Sequence, residues 1–441
     1  MSRISYKIIM LLFIVLIQNS ASGQNLLTLQ DCLHLAFQNS RMLKVANLST
    51  EIAVEQIAEA KAQQLPAINF GGIYTRIGKI TSFTIPMGGE DRTFQFGTPN
   101  RVNLDLKLQM PLFTWGRISS LIEMAKVGGL LANVQQRQQK VNLTDQVLRA
   151  YYAVLLNQEV VRLREKGVHR AESHLRMAEE RFQAGVVPRL ELLRAQVELK
   201  NAQSAWSEAH GNLDKSKIFL GKLLGRSDED ISIRGSFQFD PIHFDEAEVI
   251  AKAVSVRSDI EAIRLQQQMS QSQISVAKSG NKPNLLFFSG YNVVNGFDPM
   301  NPEKFVDNYN VGVQLAVPLF DGFATSHKVQ QAELQYQQIQ LQEQEIKELV
   351  RMQVRQAIIS LKQAEDKIKT QDENIVLAQE ALQVAERQYR DGLVSSIEVL
   401  DAQHTLSQSE LFKTQAIFNH IMTKVELCRA MEDYTWFSRE K

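Results

Sequence analysis

The chain is predicted to be mainly α-helical with a β-barrel portion: a duplicated long-helix coiled coil carrying four short strands. Three observations predict this. The first is an internal repeat. Met110-Pro111-Leu112-Phe113 returns as Val317-Pro318-Leu319-Phe320, and Arg181-Phe182-Gln183-Ala184-Gly185 returns as Gln388-Tyr389-Arg390-Asp391-Gly392. Glu191, Leu193, Ala195, Gln196 and Leu199 return as Glu398, Leu400, Ala402, Gln403 and Leu406. Every pair is 207 positions apart, so no net insertion separates the copies over this stretch. Loops of globular proteins tolerate insertions; a rod whose length must match its twin does not, and repeats of this kind govern the whole architecture.

The second observation is where proline is missing. None of the ten prolines lies between 112 and 187, and none follows 318. Proline removes a backbone donor and clashes inside a helix, so these spans are candidates for long helices. Ile118 to Ala184 and its copy Thr325 to Asp391 each hold 67 residues, about 100 Å at the helical rise. The third observation is alternation. In 102–110, Val102, Leu104, Leu106, Leu108 and Met110 alternate with Asn103, Asp105, Lys107 and Gln109. The copy at 309–317 alternates Tyr309, Val311, Val313, Leu315 and Val317 with polar or small residues. A period of two with one polar face is a strand with one wet side.

The elements follow in order. Residues 1–23 read as a secretory signal: Arg3 and Lys7, an apolar run from Ile8 to Ile17, then Ala21-Ser22-Gly23 as cleavage site. Neither Cys32 nor Cys428 directly follows that site, so no lipoprotein anchor is indicated, and each sits in a helical pattern as a small buried side chain. A first repeat, 24–224, reads as helix (28–63), strand (67–77), loop (78–100), strand (102–110), long helix and second helix (190–223). Residues 225–244 form a linker. A second repeat, 245–431, reads as helix (245–279), strand (284–294), loop (295–308), strand (309–317), long helix and final helix (396–431), before a tail at 432–441. Within the long helices, Leu121, Met124, Val127, Leu131 and Val134 recur at helical spacing, with Gln, Lys, Arg and Glu opposite. Gly185 and Gly392 end them. Pro66, Pro111, Pro283 and Pro318 mark the joints between strand and helix.

At about ten residues each strand matches a tilted membrane crossing. Four strands cannot close a barrel, and an open edge in lipid costs several kcal/mol per unpaired group. Chains must therefore pool strands: a dimer gives eight, a trimer twelve, a tetramer sixteen. Asp105, Lys107, Gln109 and Gln314 would line water, the Leu/Val face would meet lipid, and Phe113, Trp115 and Phe320 sit where an interfacial aromatic belt is expected.

The ordered set resembles the TolC-type outer-membrane efflux proteins over about 28–432. The resemblance rests on the duplicated layout and the joints Leu65-Pro66-Ala67-Ile68 and Met110-Pro111-Leu112-Phe113. It rests also on the tip Tyr389-x-x-Gly392 followed by Glu398-Val399-Leu400-Asp401-Ala402-Gln403. It implies a homotrimer whose strands pool into a 12-stranded barrel, a periplasmic helical tunnel with an equatorial belt around 225–244, and a periplasmic adaptor and inner-membrane pump as partners. It also implies a passive conduit, gated at its periplasmic tips, in the bacterial outer membrane. A protein-secretion conduit of the same fold and a periplasmic coiled-coil scaffold are the alternatives; the alternating strands argue against the scaffold.

The candidate gate lies after the second long helix. Glu398 and Asp401, three apart, share a helix face and match the family's acidic constriction; in a trimer they would give six carboxylates. Ser395-Ser396-Ile397-Glu398 also fits a capping box, which would make Glu398 a local cap. Tyr389 matches a family gate tyrosine or packs at a helix end. The family's basic gate partner falls at Val394, a departure that leaves Arg390, Arg189 or Arg194 to supply charge. The turns Gly185-Val186-Val187 and Gly392-Leu393-Val394 are candidate adaptor contacts, or hydrophobic contacts of a helix cap.

Enzyme chemistry is not indicated. No Gly-rich phosphate loop follows a strand, and no nucleophile triad stands out. His169 and His174 are five apart, about 140° around a helix, and are expected to be unrelated surface residues; no metal or cofactor is predicted. A formal net charge of zero gives no electrostatic signature of a nucleic-acid partner.

Overall fold

The computed structural model describes residues 26–226, 231–298 and 301–437. The predicted signal sequence at 1–23 lies outside the described residues, as does the end of the predicted tail. The elements, in chain order, are α1 (Leu29–Asn39), α2 (Arg41–Ala62), β1 (Ala67–Arg76), β2 (Thr81–Met87), β3 (Glu90–Phe96) and β4 (Asn100–Phe113). Then come α3 (Arg117–Gln183), α4 (Arg189–Leu224), α5 (Glu246–Val256), α6 (Ser258–Lys278), β5 (Asn284–Asn295), β6 (Phe305–Ala316), α7 (Ala324–Arg390) and α8 (Ser396–Met431). Both proline-free spans are single 67-residue helices. Among the described residues, no helix is long and apolar enough to cross a membrane.

Two expected helices are each broken in two. The break at 40 follows from side chains that take over backbone partners. The Asn39 amide donates to the Leu224 carbonyl at 2.8 Å, and Ser40 Oγ accepts from the Leu43 N–H at 3.3 Å, so one helix ends and the next is capped. At 257 the Ser258 N–H turns to the Glu432 carboxylate at 3.0 Å, while Asp259 holds the Arg257 guanidinium at 2.6 Å. The loop expected at 78–100 is also more ordered than its Gly and Pro content suggests. It contains an antiparallel hairpin, β2 with β3, in which Phe83 stacks on Phe94 at 5.9 Å.

The chain falls into two units, each described by itself. One draws on the stretch ending at Ala46, Gln136–Ile260, and the stretch from Ile346 onward. Its largest core combines Leu29, Cys32 and Ala36 of α1, Val147, Leu148, Tyr151 and Val154 of α3, and Leu220 and Leu224 of α4. Ile421, Val425 and Cys428 of α8 complete it. The linker joins this core through Ile231 and Ile233, and the chain end through Phe437. Tyr151 donates its hydroxyl to the Arg234 carbonyl at 2.6 Å, which satisfies a buried polar group and straps the linker to α3. Gly235 is required beside it, because a Cβ there would run into the Tyr151 ring. Both cysteines are free and buried, and burial pushes each thiol up to about 12.

The other unit, Asn47–Gln135 with Glu261–Glu345, holds the sheet. Its order is β1-β4-β5-β6, all antiparallel, so the second strand of the first repeat pairs with the first strand of the second. Pro66 and Pro283 immediately precede β1 and β5, and Pro318 follows β6. Pro111 lies just inside the end of β4, where the register shifts between it and Phe113. A residue without an N–H is tolerated at such a bulge.

Candidate functional site

Two regions carry the functional possibilities: the faces of the sheet, and the ends of the long helices.

The register aligns the alternation of all four strands. Phe70, Leu106, Tyr291 and Tyr309 form one cross-sheet row, and Ile68, Leu108, Ser289 and Val311 the next. This apolar face is bare: Phe70 is 72% exposed and Tyr309 78%. The opposite face is amide-rich. Its rows are Gly71, Asp105, Asn292, Asn308 and then Asn69, Lys107, Gly290, Asn310. Lys107 and Asp105 pair at 2.9 Å, and Asn292 donates to Asn103 at 2.6 Å. A single chain therefore shows an oily face, a wet face and two unpaired edges, β1 and β6. Because β1 and β6 run in opposite directions, β6 of one copy could extend antiparallel onto β1 of another.

At the helix ends, two equivalent turns form. Gly185 and Gly392 adopt positive φ of 71° and 76°, the left-handed conformation that costs glycine least. The Val186 N–H donates to the Arg181 carbonyl at 2.9 Å and the Leu393 N–H to the Gln388 carbonyl at 2.8 Å, so the last carbonyls of both long helices are satisfied. Val186 and Leu393 project outward, Leu393 being 74% exposed. Val187 is half-buried. Val394 turns inward instead and packs with Tyr389, Val399 and Leu406.

The candidate gate residues do not form one cluster. Tyr389 is 1% exposed, held among Ala378, Leu382, Val399 and Leu406. Glu398, Asp401 and Arg390 are on the surface. The Ser395 hydroxyl donates to the Glu398 carboxylate and holds it below the usual carboxylate range. The Ser395 side chain caps no backbone N–H, so the reciprocal box is not formed. Arg189 and Arg194 are exposed as well.

The cation at Tyr389 is one the sequence reading passed over. The Arg181 guanidinium lies over the Tyr389 ring, 4.5 Å from its centroid, and donates to the Tyr389 carbonyl. Glu191, at the start of α4, accepts from the Ser396 N–H of α8 at 3.3 Å. The repeat register held the signal: Arg181 corresponds to Gln388, the residue before Tyr389. His174 also departs from expectation. It is 2% exposed, not a surface residue, and its ring lies 5.9 Å from that of Tyr389. Its helical angle from His169 explains this: one histidine faces solvent beside Glu172, and the other faces the helix pair. Among the described residues no cluster of His, Cys, Asp and Glu could hold a metal ion.

The family model for outer membrane efflux proteins matches residues 32–226 and 249–416. The chain belongs to that family. It is similar to the outer membrane protein TolC of Escherichia coli K12, at 21% identity over 95% of this chain and 85% of that protein. Its fold is similar to the crystal structure of CusC, with a TM-score of 0.76 and 19% identity over 91% of both chains. The Campylobacter jejuni CmeC outer membrane channel matches with a TM-score of 0.76 and 18% identity, over 91% of this chain and 85% of that one. The protein is thus an outer membrane efflux channel of the TolC family, mainly helical with a four-stranded sheet per chain, and its family is one of transporters, not enzymes. As a member of that family it resides in the outer membrane and extends into the periplasm.

Proposed function

We propose that three copies pool their strands into one 12-stranded barrel, and that the chain is the passive outer-membrane conduit of a tripartite efflux system. The observation that carries this is the sheet: one bare apolar face, one amide-rich face and two open edges of opposite direction. Unpaired edges in lipid are costly, and closure with copies of the same chain removes them. The amide-rich face then lines the water path.

In this reading the helix ends form the periplasmic gate. Glu398 and Asp401 project from one helix face and give a ring of six carboxylates, which favours cations. The turns at Gly185-Val186-Val187 and Gly392-Leu393-Val394 meet a periplasmic adaptor, chiefly through Val186 and Leu393, whose exposed side chains a partner would cover. An inner-membrane pump supplies the energy, and opening is a realignment of packed helices.

Conductance of single molecules in planar bilayers tests this reading. Small, cation-selective steps are expected. A protein that never inserts would overturn the conduit and return the chain to a periplasmic scaffold.

A further inference from the structure

His174 lies on α3, buried against α7. Its ring contacts Tyr389 of α7 at a tilt of 42°, and neither ring nitrogen has a hydrogen-bond partner among the described residues. A neutral imidazole tolerates such burial. An imidazolium carries a charge and two donors, and without partners it does not.

The charged groups around it divide by element. On its own helix, Arg181 reaches across to the Tyr389 ring and carbonyl. On α4, Glu191 and Glu198 favour the charged histidine: Glu191 holds the Ser396 N–H with one oxygen while its other oxygen is buried without a partner among the described residues, and Glu198 faces His404 of α8 at 3.4 Å. On α7, Tyr389 offers an unpaired hydroxyl whose phenol burial pushes up. The balance falls on burial, which holds His174 below its ordinary value of 6.5.

We infer that His174, Arg181, Tyr389 and Glu191 form a proton-sensitive latch that ties the ends of α3 and α7 together and loosens in acid. The inference rests on the reading of these helix ends as the gate. A charged His174 draws the Glu191 carboxylate, whose second oxygen is unpartnered, away from its place at the Ser396 N–H, and it sets a second cation against the Tyr389 ring that Arg181 already covers. Both effects unpick the same contacts. Because the packed state prefers the neutral ring, the latch is complete above the histidine's ordinary value of about 6.5 and weakens as pH falls below it.

Hydrogen exchange of amides 386–399 in the detergent-solubilised full-length protein tests this, corrected for intrinsic rates, at pH 7.5 and 5.5. Wild-type exchange is expected to accelerate in acid, by at most about tenfold at pH 5.5, one unit below the histidine's ordinary value. His174→Gln is expected to abolish that acceleration. Equal acceleration in the variant, or none in wild type, would overturn the latch. Should the variant misfold, the His174 titration in wild type is followed by NMR beside the exchange: an ordinary value overturns the inference, and exchange that accelerates along a depressed His174 titration upholds it. Acid-accelerated exchange without acid-activated current in bilayers would uphold the latch and sink only the assignment of these helix ends as the gate.

Discussion

Replacing Val311 with arginine is expected to keep the protein out of the outer membrane, whereas arginine at the neighbouring Asn310 is expected to leave insertion intact. The two positions are adjacent in β6 but face opposite ways. Val311 lies in the apolar row with Ile68 and Leu108, near the middle of the strand, and is 65% exposed. Arginine at the lipid-facing midplane of a barrel costs about 2–4 kcal/mol, and a trimer bears that cost three times. Asn310 belongs to the amide-rich face, opposite Gly290, where the absence of a side chain leaves room for it. A charge there meets water. The heat-sensitive oligomer recovered from the membrane fraction measures both variants. Equal loss in the two would mean that the faces do not separate lipid from water.

Neutralising Glu398 and Asp401 together, as alanine, is expected to lower the cation-to-anion permeability ratio several-fold, towards unity. It is also expected to weaken block by divalent cations. Both carboxylates are exposed on one face of α8, and neither is consumed by a buried pair. Reversal potential under a salt gradient measures the effect. The Ser395 hydroxyl stabilises the ionised Glu398 and lowers its proton affinity below the ordinary value of 4.5. Its share of the selectivity should therefore persist at ordinary carboxylate pH and fade only in stronger acid. Unchanged selectivity in the double variant would leave Glu398 as a partner of Ser395 alone and Asp401 as a solvated side chain.

The periodic parts of this protein were legible in its sequence, and the parts fixed by long-range contacts were not. Proline exclusion and the 207-residue register delimit both long helices, because a helix interior cannot accept proline at any position. Strand alternation shows which residues share a face. It does not show that β4 pairs with β5 across the repeat boundary, since period two is the same for any neighbour. The helix breaks at Ser40 and Arg257 depend on Leu224 and Glu432, partners more than 170 positions away, so no local pattern announces them. The hairpin at 81–96 was obscured by Pro86, which a short two-stranded ribbon tolerates, and by Gly88 and Gly89, which make its turn.

The helix ends show the same division. Gly185 and Gly392 could be read as helix terminators from residue type alone. The burial of Tyr389 and the inward turn of Val394 needed the packing of α7 against α8. Arg181 and His174 escaped because their significance is a contact between repeats, with Tyr389, and neither lies in the tip motif that drew attention to that region.

The central claim is that copies of this chain close one barrel together. The measurement that tests it most directly is the native mass of the purified protein in detergent, corrected for bound detergent. Three chains per particle is the expected result. A membrane-inserted particle of one chain would contradict it, because the four-stranded sheet of a single copy has two unpaired edges among the described residues.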